Sequence, residues 1–269
     1  MFYAEFHPSP ELAHAVRCIW VFETDAGGEP AAPQRIVPDG HPELILHSGD
    51  CFFEQGDETA QPRVLFAGQI ASPLVLQAGP RAGVIGVRFL PAAARTLLGI
   101  PMRELTDARL DLASVWGRNA DLLADEVAAI QGVDNKVRRV ELAVGERLAA
   151  SRVKQDALVA QCVAALDAGD AVRVEELVRQ SRISVRQLER RFHHEVGVPP
   201  RLLASILRFR RIFDVLEYRQ PVRWVETALT AGYFDQAHMI RDFRRFAGCT
   251  PREYLQSSPG LASALASAR

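Results

Sequence analysis

The chain has 269 residues, of which 48% are hydrophobic and 24% charged, as expected for a globular protein with a buried core. No apolar run approaches the roughly 20 residues that span a bilayer, so we expect no membrane contact. The formal net charge of −1 hides two unlike parts, because residues 173–252 hold 16 Arg, no Lys and 9 acidic residues. This segment carries +7 and the rest −8, which indicates a polyanion-binding module attached to something else.

The cysteines and the N-terminal residues indicate the cellular compartment of the protein. Cys18, Cys51, Cys162 and Cys249 form neither a CxxC pair nor a metal-ligand spacing, which predicts reduced thiols in the cytoplasm. The N-terminus lacks a basic region followed by an apolar one, so no secretion is expected. Nothing in the sequence predicts a cofactor.

Short apolar runs separated by Gly, Pro and Asp fill the first hundred residues. The predicted strands are Val16–Glu23, Glu43–His47, Val64–Gln69, Leu74–Gln77 and Val84–Leu90. Closely spaced short strands with turn signals favour an antiparallel sandwich or barrel. A short helix at Ala92–Leu98, opened by Pro91 and stopped by Gly99, follows the strands.

A cluster of metal-ligand residue types offers an alternative function. His41, Glu43 and His47 would point to one side of a strand, which is a necessary condition for a metal site. The alternative is therefore a metal-dependent barrel enzyme fused to a nucleic-acid-binding module. Against it, Pro42 disfavours a regular strand, and no further His follows until His193.

Residues 113–155 are predicted to form a helical connector. One amphipathic segment contains Leu122, Leu123, Val127 and Ile130, and another contains Val137, Val140, Leu142, Val144 and Leu148. These segments either cover the β-rich domain or pair with a second copy of the chain. The remaining boundaries are a β-rich sensing or dimerising domain at 1–112, a DNA-binding domain at 156–256 and a flexible tail at 257–269.

The most sharply patterned stretch begins at Ser184, a natural N-cap. A helix from this point buries Val185, Leu188 and Phe192, and its opposite face shows a row of long polar side chains. A short apolar-periodic helix at 174–180 precedes it. Two short helices joined by a tight turn are typical of a helix-turn-helix.

A second pair of helices, Val222–Gly232 and Asp235–Phe246, repeats this arrangement. Its second helix is predicted to bury Met239, Phe243 and Phe246. A helix from Pro200 to about Arg219 joins the two units, and at about 1.5 Å per residue it is roughly 30 Å long. Successive major grooves on one face of B-DNA are about 34–36 Å apart, so the geometry suits DNA.

Two stretches resemble the DNA-binding domain of the AraC/XylS family. Residues 184–200 with 207–211 are similar to its first half. Residues 228–254, which include Gly232-Tyr-Phe-Asp-Gln-Ala-His-Met, are similar to its second half and signature. Met239 stands where the family often has Phe, which is a packing change. The resemblance implies a transcription regulator, commonly an activator that contacts RNA polymerase.

The resemblance also implies which residues touch DNA. Base-reading positions would be Arg186, Glu189, Arg190, Gln236, Ala237, His238 and Arg241. The guanidinium groups suit guanine O6 and N7, and a Glu can accept from cytosine N4. Phosphate contacts are expected from Ser184, Arg208, Arg211, Arg244 and Arg245, although such arginines, Arg210 among them, could instead pair with acidic residues.

The N-terminal part is similar to the sensor domains that precede this module, in Pro38-Asp-Gly-His-Pro-Glu-Leu-Ile and Gly86-Val-Arg-Phe-Leu-Pro. Such domains are β-barrels that bind an effector or mediate dimerisation. The predicted fold is therefore α+β, with a cupin-like β-barrel followed by an all-α domain of two helix-turn-helix units. The predicted partners are double-stranded DNA, RNA polymerase, a small-molecule effector and a second copy of the chain.

Overall fold

The computed structural model describes residues 2–24, 33–57, 59–168, 174–218 and 222–257. The N-terminal part contains nine strands within these ranges: β1 (Phe2–Phe6), β2 (Val16–Glu23), β3 (Gln34–Ile36), β4 (Glu43–His47), β5 (Phe53–Glu54), β6 (Val64–Ala67), β7 (Leu74–Gln77), β8 (Gly83–Phe89) and β9 (Arg109–Asp111). β2, β4 and β7 have the predicted bounds, β6 ends two residues earlier than expected, and β8 both starts and ends one residue earlier. β1, β3, β5 and β9 were not predicted, because each is short or lies at an edge with little alternation.

The strands form two separate sheets rather than a barrel. The first has the order β1-β2-β8-β4-β6-β9 and the second the order β3-β7-β5, and every recorded pair is antiparallel. Because β1 and β9 end the larger sheet without pairing to each other, the predicted closed barrel is wrong.

The larger sheet stays open because both of its faces are covered by other elements. Ile19 and Val21 of β2 face a core shared with helices, whereas Trp20 and Phe22 face a core shared with the smaller sheet. β8 is buried along its whole length. A strand that is apolar on both faces reads as a continuous hydrophobic run, which is how β2 and β8 appear in the sequence.

Four helices cover the outer face of the larger sheet: α1 (Ala94–Leu98), α2 (Ala113–Trp116), α3 (Arg118–Ala129) and α4 (Val133–Ala150). A 3-10 helix at Met102–Leu105 lies between α1 and α2. Leu123 and Val127 of α3 and Val140 of α4 belong to the same core as the sheet. The helical segments therefore cover the β-rich part, as one of the two sequence interpretations had it. Leu122 and Leu142 face outward.

The C-terminal part contains seven helices within the described ranges: α5 (Ala157–Asp167), α6 (Val174–Ser181), α7 (Val185–Glu195), α8 (Pro200–Tyr218), α9 (Trp224–Thr230), α10 (Gln236–Ala247) and α11 (Pro251–Ser257). The long helix α8 contributes to two cores, packing against α5 and α7 through Leu203 and Leu207. Further along, Phe209 packs against α10, with its ring 5.2 Å from that of Phe243. The predicted tail falls almost wholly outside the described residues.

Val185 is not buried as predicted, since 41% of it is exposed. It is the first residue of α7 and lies outside the core that holds Leu188 and Phe192, which are both fully buried. No helix in the described ranges is long and apolar enough to cross a membrane.

Candidate nucleic-acid interface

α7 begins with a capping box that fixes its first turn. The Ser184 hydroxyl accepts a hydrogen bond from the backbone N–H of Gln187 at 3.3 Å. The side-chain Oε1 of Gln187 in turn accepts one from the backbone N–H of Ser184 at 2.8 Å. The core side of the helix is occupied by Leu188 and Phe192. Arg186 and Arg190 are consequently exposed on the other side, with Glu189 half-buried between them.

An arginine from the N-terminal part borders the same face. Arg103, in the 3-10 helix, lines an open depression together with Arg186, Glu189 and Arg190 of α7. The sequence interpretation missed Arg103 as a candidate DNA contact. No local pattern marks it, because its proximity to α7 arises only from the packing of the two parts of the chain.

α10 is built in the same way as α7. Its N-cap is Asp235, whose carboxylate accepts from the His238 amide at 2.6 Å. Met239 and Phe243 are fully buried, which leaves Ala237 and Arg241 exposed. Gln236 is half-buried at the start of the helix.

His238 is engaged by neighbours within the domain. Its ring lies edge-on to Tyr233 with centroids 5.0 Å apart, and its Nε2 is 3.4 Å from Nη2 of Arg208. Arg208 also pairs with Asp242 at 3.1 Å. His238 is therefore half-buried and held in one orientation, beside the freely exposed Arg241.

Phe234 precedes the Asp235 cap and is 87% exposed. Such exposure of a large aromatic side chain is costly in water, at about 25 cal/mol for each Å² of apolar surface. The sequence interpretation assigned no role to Phe234, although an aromatic residue directly before a recognition helix was a usable signal.

The expected phosphate contacts divide into two groups. Ser184, Arg244 and Arg245 are exposed. Arg208 and Arg211 have internal partners, since Arg208 pairs with Asp242 and Arg211 donates to the Leu166 carbonyl at 2.8 Å. Burial and the neighbouring Arg210 charge lower the pKa of Arg211.

The N-terminal part contacts the C-terminal ends of α7 and α10. At the end of α7, Arg95 pairs with Glu195 at 2.8 Å and the Thr106 hydroxyl donates to the Gly197 carbonyl at 2.8 Å. At the end of α10, Arg35 donates to the Ala247 carbonyl at 2.8 Å. A guanidinium group is favourable there because the last carbonyls of a helix carry partial negative charge. The opposite ends of both helices stay exposed.

Comparison with known families assigns both parts of the chain. Residues 177–257 match the family described as "Helix-turn-helix domain", and residues 4–111 match a family described as "Domain of unknown function (DUF6597)". The C-terminal match covers both helix pairs.

Residues 177–257 form an AraC/XylS-type helix-turn-helix domain.

The solved structures that resemble the chain include ToxT from Vibrio cholerae, at 13% identity and a TM-score of 0.47 over 90% of this chain and 98% of that one. ToxT bound to an unsaturated fatty acid matches at 11% identity and a TM-score of 0.47, over 90% of this chain and 95% of that one. A probable AraC family transcriptional regulator from Rhodopseudomonas palustris is 26% identical over 39% of this chain and 100% of its own, with a TM-score of 0.34. No curated protein matches the chain.

The AraC/XylS-type domain makes the protein a DNA-binding transcription regulator. The three residues behind the enzyme alternative serve internal contacts. His41 Nδ1–H donates to the Phe89 carbonyl at 3.0 Å and Nε2 accepts from Arg210 at 2.7 Å. Glu43 accepts from Trp20 and Arg88, at 3.0 Å each.

His47, the third of these residues, packs its ring 5.2 Å from that of Phe52. Burial and the nearby Arg210 charge lower the pKa of His41 well below its ordinary value, which keeps that ring neutral. In the part of the chain that the structure describes, no group of three or more His, Cys, Asp and Glu side chains is arranged to hold a metal ion.

Proposed function

We propose that the AraC/XylS-type domain reads two successive major grooves, with α7 in one and α10 in the other. The observation that carries this proposal is that both helices bury one face in a core and expose arginines on the other. The connecting helix α8 has 19 residues, hence a length of about 28 Å, which is close to the repeat of B-DNA.

The proposed base contacts are those expected from the sequence: Arg186, Glu189, Arg190, Gln236, Ala237, His238 and Arg241. Arg190 and Arg241 have the clearest support, because both are exposed on the side opposite the core. For phosphate contacts we favour Ser184, Arg244 and Arg245, and we add Arg103 because it borders the α7 face. Arg208 and Arg211 then hold α8 against α10 and α5, since their guanidinium groups already have partners.

Selection of bound fragments from random duplex DNA tests the proposal. The full-length protein should enrich two half-sites whose centres lie about 10 base pairs apart. Inserting five base pairs between the half-sites should place them on opposite faces of the DNA. The two half-sites should then no longer contribute together to the binding affinity. Enrichment of one half-site alone, or tolerance of the insertion, would contradict reading by both helices.

Phe234 is a further contact that the structure suggests. Residues at the start of a recognition helix lie nearest the base edges, and a phenylalanine ring there can pack on the methyl group of thymine. Replacing that thymine with uracil removes only the methyl group, worth about 0.8 kcal/mol. We expect binding to weaken about fourfold at one thymine of the α10 half-site.

The same uracil substitution should have no effect on Phe234→Ala, because the contacting ring is already absent. Val225→Ala is the matched control, since Val225 is also an exposed apolar residue of the second unit but lies on α9. A variant Phe234→Ala that still loses affinity on the uracil duplex would show that the methyl group is read by another residue.

The N-terminal part modulates DNA reading in this proposal. Its residues Arg95 and Thr106 bind the C-terminal end of α7, and Arg35 binds the C-terminal end of α10. A shift of these anchors would move both recognition helices relative to each other. A small-molecule effector bound in the N-terminal part is the proposed cause of such a shift.

The regulator is proposed to act in the bacterial cytoplasm, as an activator that contacts RNA polymerase. A second copy of the chain is proposed to dock on the outward side of α3 and α4, where Leu122 and Leu142 are exposed. Sedimentation of the parent and of Leu142→Glu tests this docking. A parent that sediments as a monomer with bound DNA would contradict it.

A further inference from the structure

A cavity lies between the two sheets of the N-terminal part. β2, β4 and β8 of the larger sheet form one wall, and β3 and β7 of the smaller sheet form the other. Its volume is about 80 Å³, counted as the space that the centre of a water molecule can occupy. Holding a single water takes about 10–15 Å³ of such space, so the cavity has room for several waters or for a small organic molecule.

The walls are mainly apolar. Ring and aliphatic surface comes from both sheets and the loops between them: Trp20, Ile45, Phe52, Leu65, Leu74 and Leu76. A ligand pocket in a protein is typically such an apolar enclosure with a few placed polar groups. The body of a ligand here would therefore be aromatic or alicyclic.

The three arginine side chains that line the cavity already have partners. Arg88 is almost fully buried and shares its guanidinium with Glu43 at 3.0 Å and Asp39 at 3.3 Å. Arg109 pairs with Glu54 at 2.8 Å, and Arg35 donates to Ala247. An anionic ligand that paired with Arg88 or Arg109 would have to break an existing ion pair, and a buried charge left alone costs several kcal/mol. The walls thus favour an uncharged occupant.

Two buried polar side chains, Gln61 and His47, lie next to each other. Gln61 is 9% exposed and forms part of the wall, and its side chain neighbours the fully buried His47. Burial lowers the pKa of His47 to about 4 despite the opposing effect of Gln61, so the ring is neutral. Among the described residues, neither His47 nitrogen nor Gln61 Oε1 has a partner at hydrogen-bond geometry. Gln61 lines the cavity, whereas its Oε1 has almost no accessible surface. A rotation of the Gln61 side chain toward the cavity would let a ligand hydroxyl or N–H supply the missing partner.

We propose that this cavity binds an uncharged small molecule with an aromatic or alicyclic body and one hydroxyl or N–H group directed at Gln61, and that its occupancy controls the second helix-turn-helix unit. The proposed control of the second helix-turn-helix unit rests on the proposed function. The proposed binding of a ligand in the cavity is independent of it.

One short segment, residues 35–41, contacts both the cavity and the AraC/XylS-type domain. Arg35, Val37 and His41 all line the cavity. Each also contacts the AraC/XylS-type domain: Arg35 binds the end of α10, Val37 lies in the core around Phe209, and His41 accepts from Arg210 of α8. An occupant pressing on this wall changes the support of α10 directly.

Three compounds with one ring system test the ligand class: 2-naphthol, naphthalene and 2-naphthoate, each titrated into the full-length protein by calorimetry without DNA. We expect 2-naphthol to bind and 2-naphthoate to bind at least tenfold more weakly. Gln61→Leu should lower the affinity for 2-naphthol roughly threefold to tenfold and leave that for naphthalene unchanged, because only the hydroxyl loses a partner.

Leu74→Trp should fill the cavity and abolish binding of 2-naphthol and naphthalene. If Leu74→Trp does not fold, Gln61→Leu alone decides the question. Binding of 2-naphthoate as tight as that of 2-naphthol, or no binding of either 2-naphthol or naphthalene, would overturn the proposed site. So would undiminished binding to a folded Leu74→Trp.

The effect of the ligand on DNA binding is measured as the Kd for a duplex obtained by selection. Saturating 2-naphthol should change the Kd for that duplex by about fivefold or more in the parent, and not in folded Leu74→Trp. An unchanged Kd in the parent would refute the proposed control of the second helix-turn-helix unit and leave the binding site standing. A parent that selects no duplex refutes the proposed function instead, while the calorimetry still decides the site.

Discussion

Replacing Arg190 or Arg241 with alanine is expected to weaken DNA binding by about 1–3 kcal/mol, which is roughly a 5-fold to 150-fold rise in Kd. Each arginine extends from the exposed face of a recognition helix and can place two donors on guanine O6 and N7. Each variant should lose preference at one base position only. The affected positions should lie in different half-sites, because Arg190 is on α7 and Arg241 on α10.

Binding to a panel of duplexes with single substitutions measures this effect. Arg118→Ala is the matched control, because Arg118 is also an exposed helical arginine but lies on α3 of the N-terminal part. It should bind every duplex like the parent. If Arg190→Ala and Arg241→Ala also keep the parent's preference at every position, the base-reading assignment is wrong.

Gly86→Ala is expected to destabilise the N-terminal part by ~3 kcal/mol, at the upper end of what overpacking a core costs. A Cβ atom at position 86 would lie 2.0 Å from Cε2 of Trp20, which is opposite it on β2. The indole cannot move aside cheaply, because its Nε1 donates to Glu43 and its ring stacks on that of Tyr3. Trp20 also lines the cavity, so probe binding should fall together with stability.

Gly145→Ala is the same chemical change at a site with space. Its Cβ would meet only Leu12, at 3.7 Å, and it lies inside helix α4. Alanine there should stabilise the protein by about 0.5–1 kcal/mol, because glycine is a poor helix former. Urea unfolding followed by tryptophan fluorescence compares the two variants. Equal midpoints would show that the contact with Trp20 does not constrain position 86.

The recognition helices were predictable because their signals are local. Ser184 and Asp235 act as the caps that their side chains suggest, and the 3.6-residue period assigns Leu188 and Phe243 to the core. The exposed position of Arg190 and Arg241 follows from the same winding. Val185 was the exception, since one residue at a helix start can lie on either side of the core boundary.

Sheet closure and the partners of charged residues were not predictable in the same way. Whether β1 pairs with β9 depends on what covers the larger sheet, and the covering helices α3 and α4 come later in the chain. The internal contacts of the proposed metal-ligand residues were not predictable for a related reason. His41 and Glu43 are close in sequence, but their partners Arg210 and Arg88 come from distant segments.

By itself the sequence determined the two helix-turn-helix units, their exposed arginines and the basic end that carries them, because capping and helical periodicity act over a few residues. Only the tertiary structure decided that the sheet stays open, that Arg208 and Arg211 bind other groups of the protein, and that Arg35, Val37 and His41 contact both a cavity and the AraC/XylS-type domain. Those outcomes depend on groups far apart in the chain competing for the same partners, which no local pattern records.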